Sequence, residues 1–595
     1  MVLPTRNEVP KELTWDLTRV FPTDQAWQKE FESVSNEISN LNNLSAIITK
    51  SGNDLYSALT QIFSIDRRLE KIYVYATMSR DVDTSNNHYL GFAAMAEDLA
   101  NKYSSAISFI NPAILSLSNQ VLKEFELQEP KLLNYKHYLD QITNKRNHTL
   151  DAQSEQIIAA SGAALGSSSN TFNVLTNSDL EFGYTTDNDG EMVQLTEGLY
   201  SQLIQSPKRT VRKNAFETLY ASYGQFQNTL ASTLSGNVKS QNYVALMHGY
   251  NSAREAALAQ SHIPVSVYDN LIKGVHKHLN LLHRYMKLRK KVLGLEELEM
   301  YDLYVPITGT PSLSYSYSES KKQAREALSI LGKEYLDQVD YIFNNRVIDV
   351  VESKGKVTGA YSGGSYDTDP YELLNWTNDF DALYTLVHET GHSVHSAFTR
   401  KNQPYIYGEY PIFLAEIAST TNENILTEYL LSKATDPKIR AFILNYNLEA
   451  FRTTLYRQTQ FAEFEQFIHE ADQSGEPLTA EKLNSFYGEL NQKYYGIVEP
   501  GSDIDKEWSR IPHFYYNFYV YQYSTGFAAA VALAKNIVHG TEKQKADYLA
   551  FLKAGSSEYP IEIMKKAGVD MTTSTYIDSA FSVFEQRLNE LEKLL

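Results

Sequence analysis

Apolar residues recur at intervals of three and four from Ala26 to Leu41 and from Leu55 to Met78, the period of a helix with one buried side. Most of the first hundred or so residues follow this pattern. The stretch from Gly166 to Asp179, GSSSNTFNVLTNSD, is rich in Gly, Ser, Asn and Thr and predicts an interruption of it. The expected organisation is an N-terminal helical lobe over residues 1–200 and a second domain over 201–595. Helical periodicity then resumes and carries His276, His278 and His283 among Lys273, Lys277, Arg284, Lys287 and Arg289, which reads as a solvated basic face. Between Lys354 and Trp376 the texture changes to KGKVTGAYSGGSYDTDPYELLNW, with ends that alternate like short strands, so the one small β element is expected here. The chain as a whole reads as mainly α.

Composition narrows the function. The chain has 595 residues, 43% of them hydrophobic and 21% charged, which is an ordinary globular composition with length for at least two lobes. Asp and Glu outnumber Lys and Arg by 72 to 54, which argues against a nucleic-acid partner. There is no cysteine, so thiol nucleophiles, disulfides and cysteine-bound zinc are excluded together, and any metal must sit on His, Asp or Glu. The N-terminus, MVLPTRNEVPKELTWDL, lacks an apolar signal core, and the longest apolar run, FAAAVALA at 527–534, is too short to span a bilayer. No membrane partner and a cytoplasmic location are the resulting expectations.

The chemistry centres on DALYTLVHETGHSVHSAF, a predicted helix with Asn378 or Asp379 as N-cap and Leu383, Leu386, Val387 and Val394 on its buried side. His388 and His392 are four residues apart, about 40° in azimuth and one turn in height, so both imidazoles leave the same face at a spacing one metal ion bridges. Glu389 lies beside them, within reach of water at that metal without being a ligand. Gly391 is costly in mid-helix and makes sense where another backbone or a substrate approaches closely. A hydrolytic zinc takes three protein ligands. His395 shares the face of His388, but three histidines over two turns would be strained, and a metzincin pattern is excluded because 395 and 398 are His395 and Phe398. Downstream, YPIFLAEIASTTNENILTEYLL predicts another helix with Glu416 and Glu423 seven residues apart on one face. Glu416 is an acid on an apolar turn, costly to bury unless bound, and is favoured as third ligand; Glu423 is the alternative, or a partner to a ligating histidine. The expected cofactor is one Zn²⁺ per chain, although cobalt or manganese fits the same donors.

HETGHSVHSAF, then EIASTTNEN twenty-four residues past His392, then HFYYNFYVYQYSTG, resemble the thimet oligopeptidase superfamily of zinc metallopeptidases, and within it most nearly the oligoendopeptidase F group. The likeness includes GAYSGGSYDTDPYELLNW and FRTTLYRQTQFAEFE and covers most of the chain beyond residue 200. It implies a mainly helical, two-lobed metallopeptidase with a deep substrate channel and cleavage of internal bonds in unstructured oligopeptides. It also implies zinc on His388, His392 and Glu416, with Glu389 as general base. The substrate-binding strand would be Leu373, Leu374, Asn375 and Trp376, with Gly359, Tyr361, Gly363 and Gly364 in a glycine loop above the site. Those glycines are not a phosphate loop, because no Lys-Ser or Lys-Thr follows and no helix starts directly behind them.

The aromatic cluster is expected to supply oxyanion donors. On a helix, His513, Tyr516 and Tyr523 would share one face with Tyr519 at its margin. The competing view is that these are packing aromatics. Two other functions are weaker. A di-iron bundle needs a second Glu-x-x-His element, and only His392 among the 14 histidines has Glu three residues before it. A peptide-binding protein that never cleaves would have no need of HETGH together with Glu416. Oligomeric state is not fixed by the sequence.

Overall fold

The structure is a computed structural model that describes residues 3–309, 313–498 and 501–595. Helices dominate. The two segments with the clearest helical period form helices Asp24–Ile38 and Gly52–Asp81, started by Thr23 and Ser51, whose side chains accept from the Ala26 and Asp54 backbone N–H groups. Leu55, Leu59, Ile62, Leu69, Ile72 and Ala76 of the second helix are buried, which is the stripe that the sequence pattern traces. Among the described residues no helix is long and apolar enough to cross a membrane. The apolar run at 527–534 is interior packing within helix Tyr521–His539.

Packing groups the chain into two compact units, one made of residues 3–149, 313–428 and 533–568, the other of 150–309, 429–498, 501–532 and 569–595. This differs from a single cut near residue 200. In the first unit, distant segments are tied by buried charge: Asp349, fully buried, pairs with Arg6 at 2.5 Å and with Lys356 at 2.9 Å. Lys356 also donates to the Val351 carbonyl. In the second unit, the Gly/Ser-rich stretch does not interrupt helix as expected. Ser167–Val174 is helical and runs into a wider turn at Leu175–Asp179. Its small residues are used for close packing, since a Cβ at Gly236 would lie 2.3 Å from Ser168 Oγ. The histidines of the basic segment are held by tertiary partners: His276 by Glu463 and His278 by Asp578, both at 2.7 Å.

Sheet structure is minor. In the second unit β1 (Tyr184–Thr186) pairs antiparallel with β2 (Met192–Gln194). In the first unit β3 (Ile348–Asp349), β4 (Tyr361–Gly363) and β5 (Tyr371–Leu373) form a sheet in the order β3-β5-β4, with β5 parallel to β3 and antiparallel to β4. The β element thus falls where the sequence texture changes, and β3 joins it from outside that stretch. Past β5, Asn378 turns the chain in left-handed backbone (φ 59°) and Asp379 caps the helix carrying the HETGH motif.

Candidate metal centre

Two helices build the centre: the motif helix, Phe380–Asn402, and the ligand helix, Ile412–Lys433, whose acidic residues Glu416 and Glu423 lie in the first unit. Asp379 accepts the Ala382 N–H at 2.8 Å, and Leu383, Leu386, Val387 and Val394 are fully buried. That fixes the rotation of the motif helix and leaves His388 and His392 together on one side. Their Nε2 atoms are 3.2 Å apart. Glu416 Oε2 lies 3.3 Å from the first and 3.4 Å from the second. Among the described residues, His388, His392 and Glu416 are the group whose donor atoms converge closely enough to hold a metal ion. For a tetrahedral ion with bonds of about 2.0–2.1 Å, neighbouring donors stand about 3.3 Å apart, so the three residues fit.

The packing that sets this spacing is carried by Gly391. A Cβ there would lie 2.7 Å from Ser419 Cα and 3.1 Å from the Ser419 nitrogen, so the glycine expected to admit another backbone does so. Nearby, Asn422 donates to the Val387 carbonyl at 3.3 Å and accepts from Tyr335 at 2.9 Å, joining the helices away from the donors. Glu423 sits one face-repeat beyond Glu416, with Oε1 2.6 Å from His388 Nδ1. With a metal in place of the Nε2 proton, the proton held on Nδ1 by that carboxylate would leave the Nε2 lone pair directed at the convergence point. Burial pulls His388 toward neutrality, but the hydrogen bonds to Glu416 and Glu423 outweigh it and hold its pKa well above the ordinary value. Glu416 is shifted well below the carboxylate range, because the His388 and His392 hydrogen bonds outweigh its burial.

Glu389 is 7% exposed and is not one of the three converging donors. Burial raises its pKa, the charges of His388 and His392 lower it, and Glu416 raises it again, leaving it above the ordinary value. His395 is not part of the group. Its ring is buried and stacked on Tyr410, centroids 3.7 Å apart and planes 4° apart, because its position on the helix turns it into the aromatic packing beside Phe551.

Other sequence candidates land differently. Leu373 and Leu374 are buried, and β5 is the central strand, so neither its side chains nor an open edge can receive a peptide as expected. On one side Glu372, Leu374 and Trp376 donate their N–H groups to the Val347, Asp349 and Val350 carbonyls; on the other lies β4. Asn375 is spent on the Val357 and Gly359 carbonyls, and the Trp376 indole on Asn378. The outer edge of β4, Tyr361–Gly363, has no further strand among the described residues. Its Ser362 hydroxyl is 2.8 Å from Ser393 of the motif helix, and Tyr361 donates to Asp81. Gly364 (φ 130°) is required by the turn, since a Cβ would lie 2.5 Å from the Asp369 carbonyl oxygen; Gly359 (φ 82°) needs glycine for its backbone alone.

In the second unit, the expected single helical face for the aromatic cluster does not exist. His513 is on a 3₁₀ turn, Pro512–Tyr515; Asn517 and Phe518 take left-handed backbone (φ 48° and 56°); the helix starts only at Tyr521. The turn nevertheless gathers the rings. Centroid separations are 5.7 Å for His513–Tyr516, 5.9 Å for His513–Tyr523 and 5.4 Å for Tyr519–Tyr523, and the hydroxyls of the last pair are 3.5 Å apart. Tyr516 is 54% exposed, and burial lowers the His513 pKa.

Two buried acids were not singled out by sequence reasoning. Glu372, in the middle of β5, is pushed up to about 8 by burial, with the charge of Glu389 acting in the same direction. Glu465 is fully buried in helix Arg457–Gln473 and accepts the Phe518 N–H at 2.6 Å. Glu372 lies between Tyr371 and Leu373, the same kind of signal that singles out Glu416, whereas Glu465 is followed by Gln466 and has no such mark.

A family model described as Peptidase family M3 matches residues 202–583, and one described as Oligopeptidase F matches residues 114–182. The chain is 49% identical over 592 residues to the plasmid-borne oligoendopeptidase F of Lactococcus lactis subsp. cremoris, covering 99% of this chain and 98% of that one. It is 50% identical over 591 residues to the group B oligopeptidase PepB of Streptococcus agalactiae, with the same coverage. Among solved structures, oligoendopeptidase-F from Enterococcus faecium superposes with a TM-score of 0.75 at 46% identity, covering 96% of this chain and 99% of that one. A family match over most of the chain, relatives at half identity end to end and a donor set fit for a metal lead to one conclusion: the chain belongs to peptidase family M3, as a metalloendopeptidase related to oligoendopeptidase F.

Proposed function

We propose that this chain is a zinc-dependent oligoendopeptidase in which His388, His392 and Glu416 hold one Zn²⁺ and Glu389 is the general base. The observation that carries the reading is the near-equilateral set of donor atoms, 3.2–3.4 Å apart, with Glu423 fixing the proton of His388 behind it. Two imidazoles and a carboxylate suit zinc and leave a fourth position open. When bound, the ion supplies a Lewis acid that acidifies water and polarises a peptide carbonyl. Glu389 takes the proton of the attacking water and returns it to the departing amine. The outer edge of β4, which has no further strand among the described residues, is assigned as the place for an extended peptide, whose backbone adds as a further strand. Tyr519, Tyr523 and His513, with Tyr516 at the exposed rim, are assigned as donors to the charge that develops on the carbonyl oxygen. The names of the relatives, oligoendopeptidase and oligopeptidase, support short peptides as substrates. A cytoplasmic location is proposed with them.

The test is hydrolysis of a mixed library of short peptides, with products identified by mass, before and after chelation. Internal cleavage lost to chelator and restored by zinc, with one zinc per purified chain, is expected. Chelator-resistant cleavage, or release of terminal residues only, would contradict the reading.

A further inference from the structure

The turn at Asn517–Phe518 is backbone that non-glycine residues avoid. Among the described residues it is the one place where two such residues in succession take positive φ, and the second of them is bulky. Such a conformation persists only where its surroundings over-determine it. Here the surroundings can be named. The Phe518 ring is 2% exposed and lies against His469 (4.5 Å between centroids) and Tyr268 (5.7 Å). Its N–H is taken by Glu465 Oε1 at 2.6 Å, from a carboxyl with no exposure at all. Burial pushes Glu465 up to about 8 against the bond from Phe518, so this acid is kept inside at a cost that an apolar residue would not incur. An apolar residue, however, would leave the Phe518 N–H buried and unpaired.

Tyr519 follows Phe518 directly, and His513 and Tyr523 lie on either side of the turn. We propose that Glu465 is a positioning residue for peptide hydrolysis: through the Phe518 backbone it holds the left-handed turn that brings His513, Tyr519 and Tyr523 together. The proposal rests on the assignment of that cluster as donors to the reacting carbonyl. Glu465 itself meets no substrate.

The experiment compares Glu465→Leu, Glu465→Gln and the double variant Glu465→Leu/Asn517→Gly in the full chain. Readouts are kcat and KM on one short peptide, metal content, and amide exchange of the 512–523 segment. The leucine variant should lower kcat by about 10-fold or more with KM and metal content little changed, and should speed exchange across the turn. The glutamine variant, which keeps a carbonyl acceptor, should retain most of kcat. Glycine at 517, which adopts positive φ without strain, should recover part of the leucine loss. Equal kcat in the leucine variant and the parent, or a glutamine variant no better than leucine, overturns the proposal. Tyr523→Phe is run alongside to separate the two ideas. If it loses kcat while Glu465→Leu does not, the positioning role alone falls; if both are fully active, the donor assignment falls and the proposal with it.

Discussion

His388 and His392 stand one turn apart on an unbroken helix, and Glu416 and Glu423 two turns apart on another, so helical periodicity delivers three donors to one point, with Glu423 behind His388, once Gly391 lets the helices meet. His513 and Tyr523 are ten residues apart across a 3₁₀ turn, two left-handed residues and the start of a helix, and their rings still come within 5.9 Å. The first arrangement follows from the regular repeat of rigid elements. The second depends on a distant carboxyl, Glu465, and on strained backbone. Geometry of the first kind resists remote substitutions, whereas geometry of the second kind is exposed to them.

The sharpest way to break the first arrangement is to remove a donor. Glu416→Ala should lower metal affinity by more than about 100-fold and abolish turnover, measured as zinc content after dialysis. Full occupancy in Glu416→Ala with loss in Glu423→Ala would exchange the roles given to the two acids. The second arrangement is probed by Tyr523→Phe, which removes one hydroxyl and almost no volume. It should lower kcat by about 10²-fold with little change in KM. Full activity there with loss in Tyr519→Phe would move the donor along the chain, and full activity in both would reduce the cluster to packing. A smaller effect is expected behind His388, where Glu423→Ala should weaken zinc binding by about 10- to 100-fold, read by competition with a chelator. Smallest is Gly391→Ala. Its methyl group would enter the 2.7 Å gap to Ser419 and should cost about 1–3 kcal/mol in thermal or denaturant unfolding. Unchanged stability and zinc affinity in that variant would show that the helices do not depend on the close approach.

The same contrast explains how much was legible beforehand. The long helices and the convergence of Glu416 on the histidines follow from periods of three and four, because regular elements repeat their geometry along the chain, while the sequence offers Asn378 or Asp379 as the cap and marks the close contact only by a glycine in mid-helix. The turn at Asn517–Phe518 has no such repeat. Asn517 tolerates left-handed backbone but Phe518 ordinarily does not, so HFYYNFYVYQYSTG does not announce two such residues in succession, and the helical face through His513, Tyr516 and Tyr523 crosses that break. Strand order was equally hidden: Leu373 reads as an open strand until β3, from outside the stretch, pairs with its far side. The interleaving of the two units has the same origin, since the partners Arg6 and Asp349 lie far apart in the chain.

In the proposed function, metal binding and proton transfer are divided between neighbouring residues of one helix, with His388 and His392 on the ion and Glu389 on the water. Glu389→Gln tests it most directly, with zinc content and kcat measured on the same preparation. One zinc per chain, as in the parent, and a fall in kcat of about 10³-fold or more are expected. Near-normal turnover, or loss of the metal together with activity, would contradict it.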